Sequence, residues 1–481
     1  MLSQAFKVVR MDFKWNAVES VCGQYNFTAY DTLLTTMQAH GLRPYWILDY
    51  GNTCYPPQHP LPIVAKSCST PTCIAAFAKF AAAAAARYQG NGIIFECLNE
   101  PNGMGNDNAT DITELCLAAS KGIRSQPLTT FVGPATSSFP WQYLNTSIQQ
   151  GILNAFDALS VHPYRGSSPE TVLADYTRLR TMVALPIISG EWGYTTATLC
   201  IYPNRCDETT QAAYLARGWL INTLANVSIS IDYDWSDGSG VGCESKFGSV
   251  RFQRGSNGTP FAIKPKYMAA KTLQTTLGNY ENVGQRIDVL STAGALPQPQ
   301  LRDVFVLSFL NESSSSTGFA VWSNGTKSGG KCSTRSSAVP IQHRLDCGHV
   351  GISKVECLSA SNPKASKKFG CCWEHNVAVV GGPQCYSVDV KQVTNATVSF
   401  RVGDSAHDSH SLCWHRVELL PEGRSDGLEL ENVICADKNG LVNVALRPLK
   451  SESGFVDAPV YLLPVLPVLP VMVEKVCRRV G

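Results

Sequence analysis

The sequence predicts an α/β fold: a (β/α)8 TIM barrel that lacks its first strand, then a β-sandwich carrying a small disulfide-rich module. Three observations predict it. Through residue 280, short and almost wholly apolar runs alternate with helical stretches, the pattern of parallel strands buried on both faces. No Gly-x-Gly-x-x-Gly follows the first run, which argues against an open dinucleotide-binding sheet. Beyond residue 280 helical periodicity stops, and strand-length runs alternate with polar turns.

The expected barrel strands are Phe6–Phe13, Pro44–Tyr50, Ile93–Leu98, Thr129–Gly133, Ala158–His162, Pro186–Ser189 and Ser228–Asp234. Between them Tyr30–His40, Cys73–Tyr88, Asp111–Arg124, Pro169–Val183 and Glu208–Ala225 read as helices, and Lys264–Leu277 follows the last strand. The run Ala81–Ala86 has the highest helix propensity available. Seven strands suit a closed barrel of eight from which the first is missing, so the N-terminus is expected to be truncated. The sandwich is expected over 281–330 and 389–465, interrupted at 331–388 by a module holding Cys332, Cys347, Cys357, Cys371, Cys372 and Cys385. A Pro-rich tail, 466–481, closes the chain.

The 481 residues carry 40 basic and 38 acidic side chains, a net charge of +2, which leaves no broad electrostatic footprint for nucleic acid. The longest apolar stretch, Pro459–Val473, is too short and too broken by Pro464, Pro467 and Pro470 to span a membrane. Eighteen cysteines and Asn-x-Ser/Thr sequons at Asn26, Asn108, Asn145, Asn226, Asn257, Asn311, Asn324 and Asn395 point to an oxidising secretory route. A secreted, lysosomal or extracellular location is expected, although no signal peptide precedes Met1. Cys54, Cys68, Cys73, Cys200 and Cys206 are expected to staple barrel loops.

In such a barrel the chemistry stands at the C-terminal ends of the strands. Asn99, Glu100 and Pro101 follow the third run, and His162, Pro163 and Tyr164 end the fifth. Gly190, Glu191 and Trp192 follow the sixth, and Trp235 follows the last. Arg10 lies in the first run, which leads to Trp15, and Gly51 and Asn52 follow the second. Glu100 and Glu191 are therefore two carboxylates facing each other across the mouth. Glycosidic cleavage needs such a pair, one to protonate the leaving oxygen and one to attack the anomeric carbon. A less polar pocket is expected to keep Glu100 protonated, and Arg10 to keep Glu191 ionised. Trp15 and Trp235 offer flat apolar faces to a sugar ring.

This set resembles the retaining glycoside hydrolase clan with a (β/α)8 barrel, over residues 6–277. The likeness rests on Val9-Arg10-Met11-Asp12-Phe13-Lys14-Trp15, Asp49-Tyr50-Gly51-Asn52, Asn99-Glu100-Pro101, His162-Pro163-Tyr164, Gly190-Glu191-Trp192-Gly193 and Tyr233-Asp234-Trp235 in that order. The attached sandwich, ending in Ala458-Pro459-Val460-Tyr461-Leu462, makes it most similar to family 39, with family 5 next. The resemblance implies a glycosidase acting on a β-linked oligo- or polysaccharide without metal or cofactor. It implies Glu100 as acid/base, Glu191 as nucleophile, and Arg10, Asn99, His162, Tyr164 and Trp235 around the reacting sugar. Trp15 and Asn52 are further substrate-binding candidates. The alternative is a non-catalytic carbohydrate-binding protein, favoured by a barrel short of one strand.

The cysteine module resembles a P-type trefoil domain through Arg344-Leu345-Asp346-Cys347-Gly348, Gly351-Ile352-Ser353, Gly370-Cys371-Cys372-Trp373 and Cys385-Tyr386. The resemblance implies bridges Cys332–Cys372, Cys347–Cys371 and Cys357–Cys385. Two features depart from it. The first trefoil cysteine is expected at Ser337, five residues after Cys332, and the stretch from Cys357 to Cys371 is longer than usual.

Overall fold

In the computed structural model, residues 2–55, 68–103, 107–253 and 261–278 are described, and beyond them the strand segments of the C-terminal part. Seven strands form one curled parallel sheet in sequence order: β1 (Val8–Lys14), β2 (Arg43–Asp49), β3 (Ile94–Cys97), β4 (Thr130–Ser137), β5 (Ala158–His162), β6 (Ile187–Trp192) and β7 (Val227–Asp232). They correspond to the second to eighth strands of the expected barrel. β1 and β7 are the sheet's two edges; they do not pair, yet Cα atoms of the two approach within 8 Å. The sheet is thus a barrel open along one seam.

The helices pack outside because each presents an apolar stripe to the sheet. Pro71–Tyr88 starts where the Thr70 side chain accepts the Cys73 N–H and Pro71 pre-sets the first turn. Ala109–Arg124 is capped by Asn108, which accepts the N–H groups of Thr110 and Asp111. The two helices lie close together: a Cβ on Gly122 would stand 2.7 Å from that of Ala82. The alanine run therefore serves close packing as well as helix propensity. A helix at Trp141–Gln149 lies where the sequence shows no expected element; its N-cap, Pro140, offers no side-chain acceptor to announce it. The expected helix Pro169–Val183 is a 3-10 turn, Pro169–Val172, continued by a shorter helix, Leu173–Arg180. The first strand starts at Val8 instead of Phe6, whose ring packs edge-on against Trp219 and Trp235.

C-terminal strands form a six-stranded sheet and a three-stranded sheet with antiparallel pairing. One apolar core joins barrel and sandwich, with Leu179, Leu220 and Ile221 packed among Phe305, Leu307, Phe309, Trp322 and Tyr461. At this junction the Trp322 indole N–H donates to Glu170 Oε1 at 2.9 Å, and Arg217 pairs with the same buried carboxylate.

Four disulfides staple the barrel: Cys22–Cys54, Cys68–Cys73, Cys97–Cys116 and Cys200–Cys243. Cys206 is a correction: it stays a free thiol, because Cys243 takes the position across from Cys200. The expected trefoil bridges, and the Pro-rich tail, lie outside the described residues. Within the module, strands Arg344–Asp346, Cys385–Val388 and Cys372–Trp373 form one small antiparallel sheet.

Candidate active site

The barrel's interior charge begins with an arginine that three strands share. Arg10 on β1 donates from Nε to Glu96 Oε2 at 2.6 Å, from Nη1 to Glu191 Oε2 at 2.8 Å and from Nη2 to Asn99 Oδ1 at 2.7 Å. Burial alone would lower its pKa, but Glu96, Glu191 and the Tyr45 hydroxyl outweigh that and raise it. Glu96 lies mid-strand in β3 and is completely buried; its other oxygen accepts from Tyr45 Oη at 2.5 Å. A buried carboxylate needs such partners. The sequence signal for it is a lone glutamate inside the apolar run Ile93–Leu98.

Glu191 stands near the end of β6, preceded by Gly190 because a Cβ there would collide with Ser160 Oγ. Both of its carboxylate oxygens are held: Oε2 by Arg10, and Oε1 by the Tyr164 hydroxyl at 2.7 Å. Burial and then the neighbouring Glu191 charge push the Tyr164 phenol far up, so it remains a proton donor to Glu191. Glu100 follows β3 at φ 44°, a left-handed conformation that is costly for a side-chain-bearing residue and common at functional sites. Its Oε1 meets His162 Nδ1 at 2.9 Å, and His162 is itself fully buried with Nε2 unpartnered.

The expectation that Glu100 is held protonated is corrected. Burial does push its carboxyl up, but the hydrogen bond and charge of His162, the Ser137 hydroxyl and Arg10 together bring it below the usual range. The sequence places His162 at a strand end; it does not reveal that the ring points at Glu100.

Ligand atoms of Glu100, His162 and Glu191 all lie within 4.8 Å of one another. As a metal centre the set is a poor fit, because the Arg10 cation is already bonded to Glu191 and would oppose a second cation there. As a pair of reacting carboxylates it is apt. The cavity above it, about 1300 Å³, is lined by Arg10, Asn99, Glu100, Tyr164, Glu191 and Trp235 among others, and extends along the open seam past Val8 and Ile231.

Three candidates fall outside it. His162 is fully buried and bonds Glu100 instead of lining the cavity. Trp15 is fully buried on the outer side of the sheet, stacked on Tyr55 at 5.3 Å and Phe80 at 5.7 Å, with its indole N–H donating to Glu19 at 2.6 Å. It opens a short helix, Trp15–Val18, that turns it away from the mouth. Asn52 is buried too; its amide donates to Glu19 O at 2.9 Å and its carbonyl accepts from Cys54 N at 2.8 Å, so it pins a loop instead of meeting substrate. Tyr202, in a loop, and Glu244, in the 3-10 turn Cys243–Lys246, do line the cavity, and no sequence pattern singles them out.

A barrel of this build with paired glutamates at two strand ends is the site arrangement of glycoside hydrolases. Residues 1–231 match the family model described as Cellulase (glycosyl hydrolase family 5), and residues 336–388 match the Trefoil (P-type) domain. The trefoil match begins after Cys332, at the end where the sequence departs from that pattern. Among solved structures, a family 39 glycoside hydrolase from Bacteroides cellulosilyticus WH2 shares 16% identity at a TM-score of 0.60, over 96% of this chain and 76% of that one. A monomeric beta-xylosidase from Caulobacter crescentus CB15 shares 15% at 0.52, over 96% and 91%. The GH39 enzyme from Xanthomonas axonopodis pv. citri shares 14% at 0.51, over 96% and 89%. At these identities the likeness is one of fold. No curated protein matches the sequence.

Proposed function

We propose that the protein hydrolyses a β-linked glycan by double displacement with retention, Glu191 acting as nucleophile and Glu100 as acid/base. One observation carries this reading: a carboxylate oxygen of Glu100 and one of Glu191 lie within 4.8 Å of each other. Retaining glycosidases hold their carboxyl groups about 5–5.5 Å apart, whereas inverting ones leave about 6.5–9.5 Å for a water. In the first step Glu191 attacks the anomeric carbon while the Glu100 proton passes to the departing oxygen. In the second, water adds to that carbon, gives its proton to Glu100, and Glu191 leaves as carboxylate. Arg10 and Tyr164 fix the nucleophile in one orientation, and Asn99 is set by Arg10 to meet a sugar hydroxyl. The four barrel disulfides and the exposed sequon residues Asn26, Asn108, Asn145 and Asn226 support a secreted or lysosomal glycoprotein.

The test is the anomer formed first. Proton NMR of aryl β-xyloside, β-glucoside and β-galactoside digests is expected to show the β-anomer of the free sugar before mutarotation; an α-anomer appearing first would refute the mechanism.

The His162 contact gives a pH dependence. A depressed Glu100 pKa stabilises the fold above the ordinary carboxylate pKa, and that stabilisation is lost as pH falls through the lowered value. For catalysis the sign is opposite, since the acid must be protonated: kcat/KM falls as pH rises through the same lowered value. His162→Phe removes the largest of the groups that oppose burial and leaves only Ser137 and Arg10, so the falling alkaline limb is expected to move to higher pH. A limb that stays in place in that variant would remove His162 from the protonation of Glu100.

A further inference from the structure

The rim of the cavity carries apolar surface that the two-carboxylate chemistry does not use. Of the ten large apolar side chains exposed among the described residues, four stand on two neighbouring loops: Leu199 (74% exposed), Ile201 (95%), Tyr202 (43%) and Val241 (65%). The Cys200–Cys243 disulfide joins these loops with Cα atoms 4.9 Å apart, so the four are presented as one ridge on a stapled support. Isolated exposed apolar residues are ordinary, but clustered ones mark binding surfaces. The ridge meets the cavity at one of its four residues. Tyr202 lines it, and so does Glu244, next to Cys243. Burial raises the Glu244 carboxyl, a hydrogen bond with Tyr202 opposes it, and the charges of Glu191 and Glu100 add to the rise.

We propose that this ridge receives the leaving group of the glycoside, and that the leaving group is apolar, an alkyl or aryl chain instead of further sugar. The proposal rests on the hydrolase reading above. With the reacting sugar on the cavity floor against Arg10 and Glu191, the group beyond the glycosidic oxygen extends outward to the rim. A polysaccharide chain there would present hydroxyls to Leu199, Ile201 and Val241, which can return no hydrogen bonds. An alkyl or aryl chain would remove the same surface from water. The bond broken is the one between the anomeric carbon and the glycosidic oxygen, and the apolar group departs as its alcohol or phenol with the Glu100 proton.

The test compares ligands that differ only in the tail. Methyl and octyl 1-thio-β-glycosides of glucose, xylose and galactose resist hydrolysis, and their dissociation constants can be measured calorimetrically on the full chain below the micellar concentration of the octyl compounds. For the sugar that binds, octyl is expected to bind about tenfold tighter than methyl, the gain from burying about two methylenes. In the double variant Leu199→Ser/Ile201→Ser the ratio is expected to fall to about two or less. Leu128→Ser, an exposed leucine just before β4 at the opposite end of the barrel, is expected to keep the full ratio. A ratio near one in the unmodified protein, an unchanged ratio in the double variant, or no binding of either probe would overturn the proposal. So would adsorption to phosphatidylcholine vesicles through Ile201 without an octyl preference, which would make the ridge a lipid-facing surface. Turnover of the matched O-glycosides separates the two readings. Hydrolysis without tail preference rejects the ridge and keeps the hydrolase; tail preference without hydrolysis does the reverse.

Discussion

Replacing Glu191 by glutamine is expected to lower kcat by about ten-thousandfold or more while leaving the protein folded. The substitution keeps the shape of the side chain and removes its capacity to attack: an amide oxygen is a weak nucleophile, and the covalent glycosyl-enzyme cannot form. The fold is expected to survive because Arg10 keeps Glu96 and Asn99, its two other partners. Tyr164, which now donates to Glu191 Oε1, can still find an oxygen there. Near-ultraviolet circular dichroism separates loss of chemistry from loss of structure. An activity within about tenfold of the unmodified protein, with an unchanged spectrum, would take the nucleophile's role from this residue.

Glu100→Ala is expected to act unevenly across substrates. With an alkyl or sugar leaving group, which needs a proton to depart, the loss should be about 100- to 10,000-fold. With a dinitrophenyl leaving group, stable as an anion, the first step should proceed nearly unaided. The second step then lacks its base, so the glycosyl-enzyme accumulates and a rapid burst precedes slow turnover. Azide needs no base to attack, so it should restore turnover and release a β-glycosyl azide. A uniform loss across leaving groups, with no azide effect, would place Glu100 outside proton transfer. The substitution is expected to stay local because His162 is fully buried and Glu100 faces an open cavity.

How much of this was legible depends on what each residue's position requires. Seven parallel strands could be read because each is a short apolar run between helices, a pattern forced by burial on both faces. Glu100, His162, Tyr164 and Glu191 were legible as polar residues where such runs end, since strand ends of a barrel converge on one mouth. Trp15 and Asn52 satisfy the same rule in sequence and fail it in space. A strand end fixes where the chain is, not which way the next turn carries a side chain, and a four-residue helix took Trp15 into the outer layer. Glu96 was hidden for the converse reason: it lies inside a run, where the apolar pattern hides a residue facing the barrel axis. Cys97–Cys116 and Cys200–Cys243 join residues 19 and 43 apart, and spacing does not reveal which cysteines meet. The lowered Glu100 carboxyl is not legible in the sequence, because it depends on His162, 62 residues away, and on Ser137 and Arg10, and no local pattern reports those contacts.

The most direct measurement is to soak the enzyme with a dinitrophenyl 2-deoxy-2-fluoro-β-glycoside of its preferred sugar, digest it, and sequence the labelled peptide by mass spectrometry. Fluorine at C2 slows both steps, while the good leaving group keeps the first fast enough to trap the sugar on the protein. The label should sit on the Glu191 carboxylate, in one copy per chain. A label on any other side chain, or none under conditions where the parent sugar is turned over, would contradict the mechanism at its root.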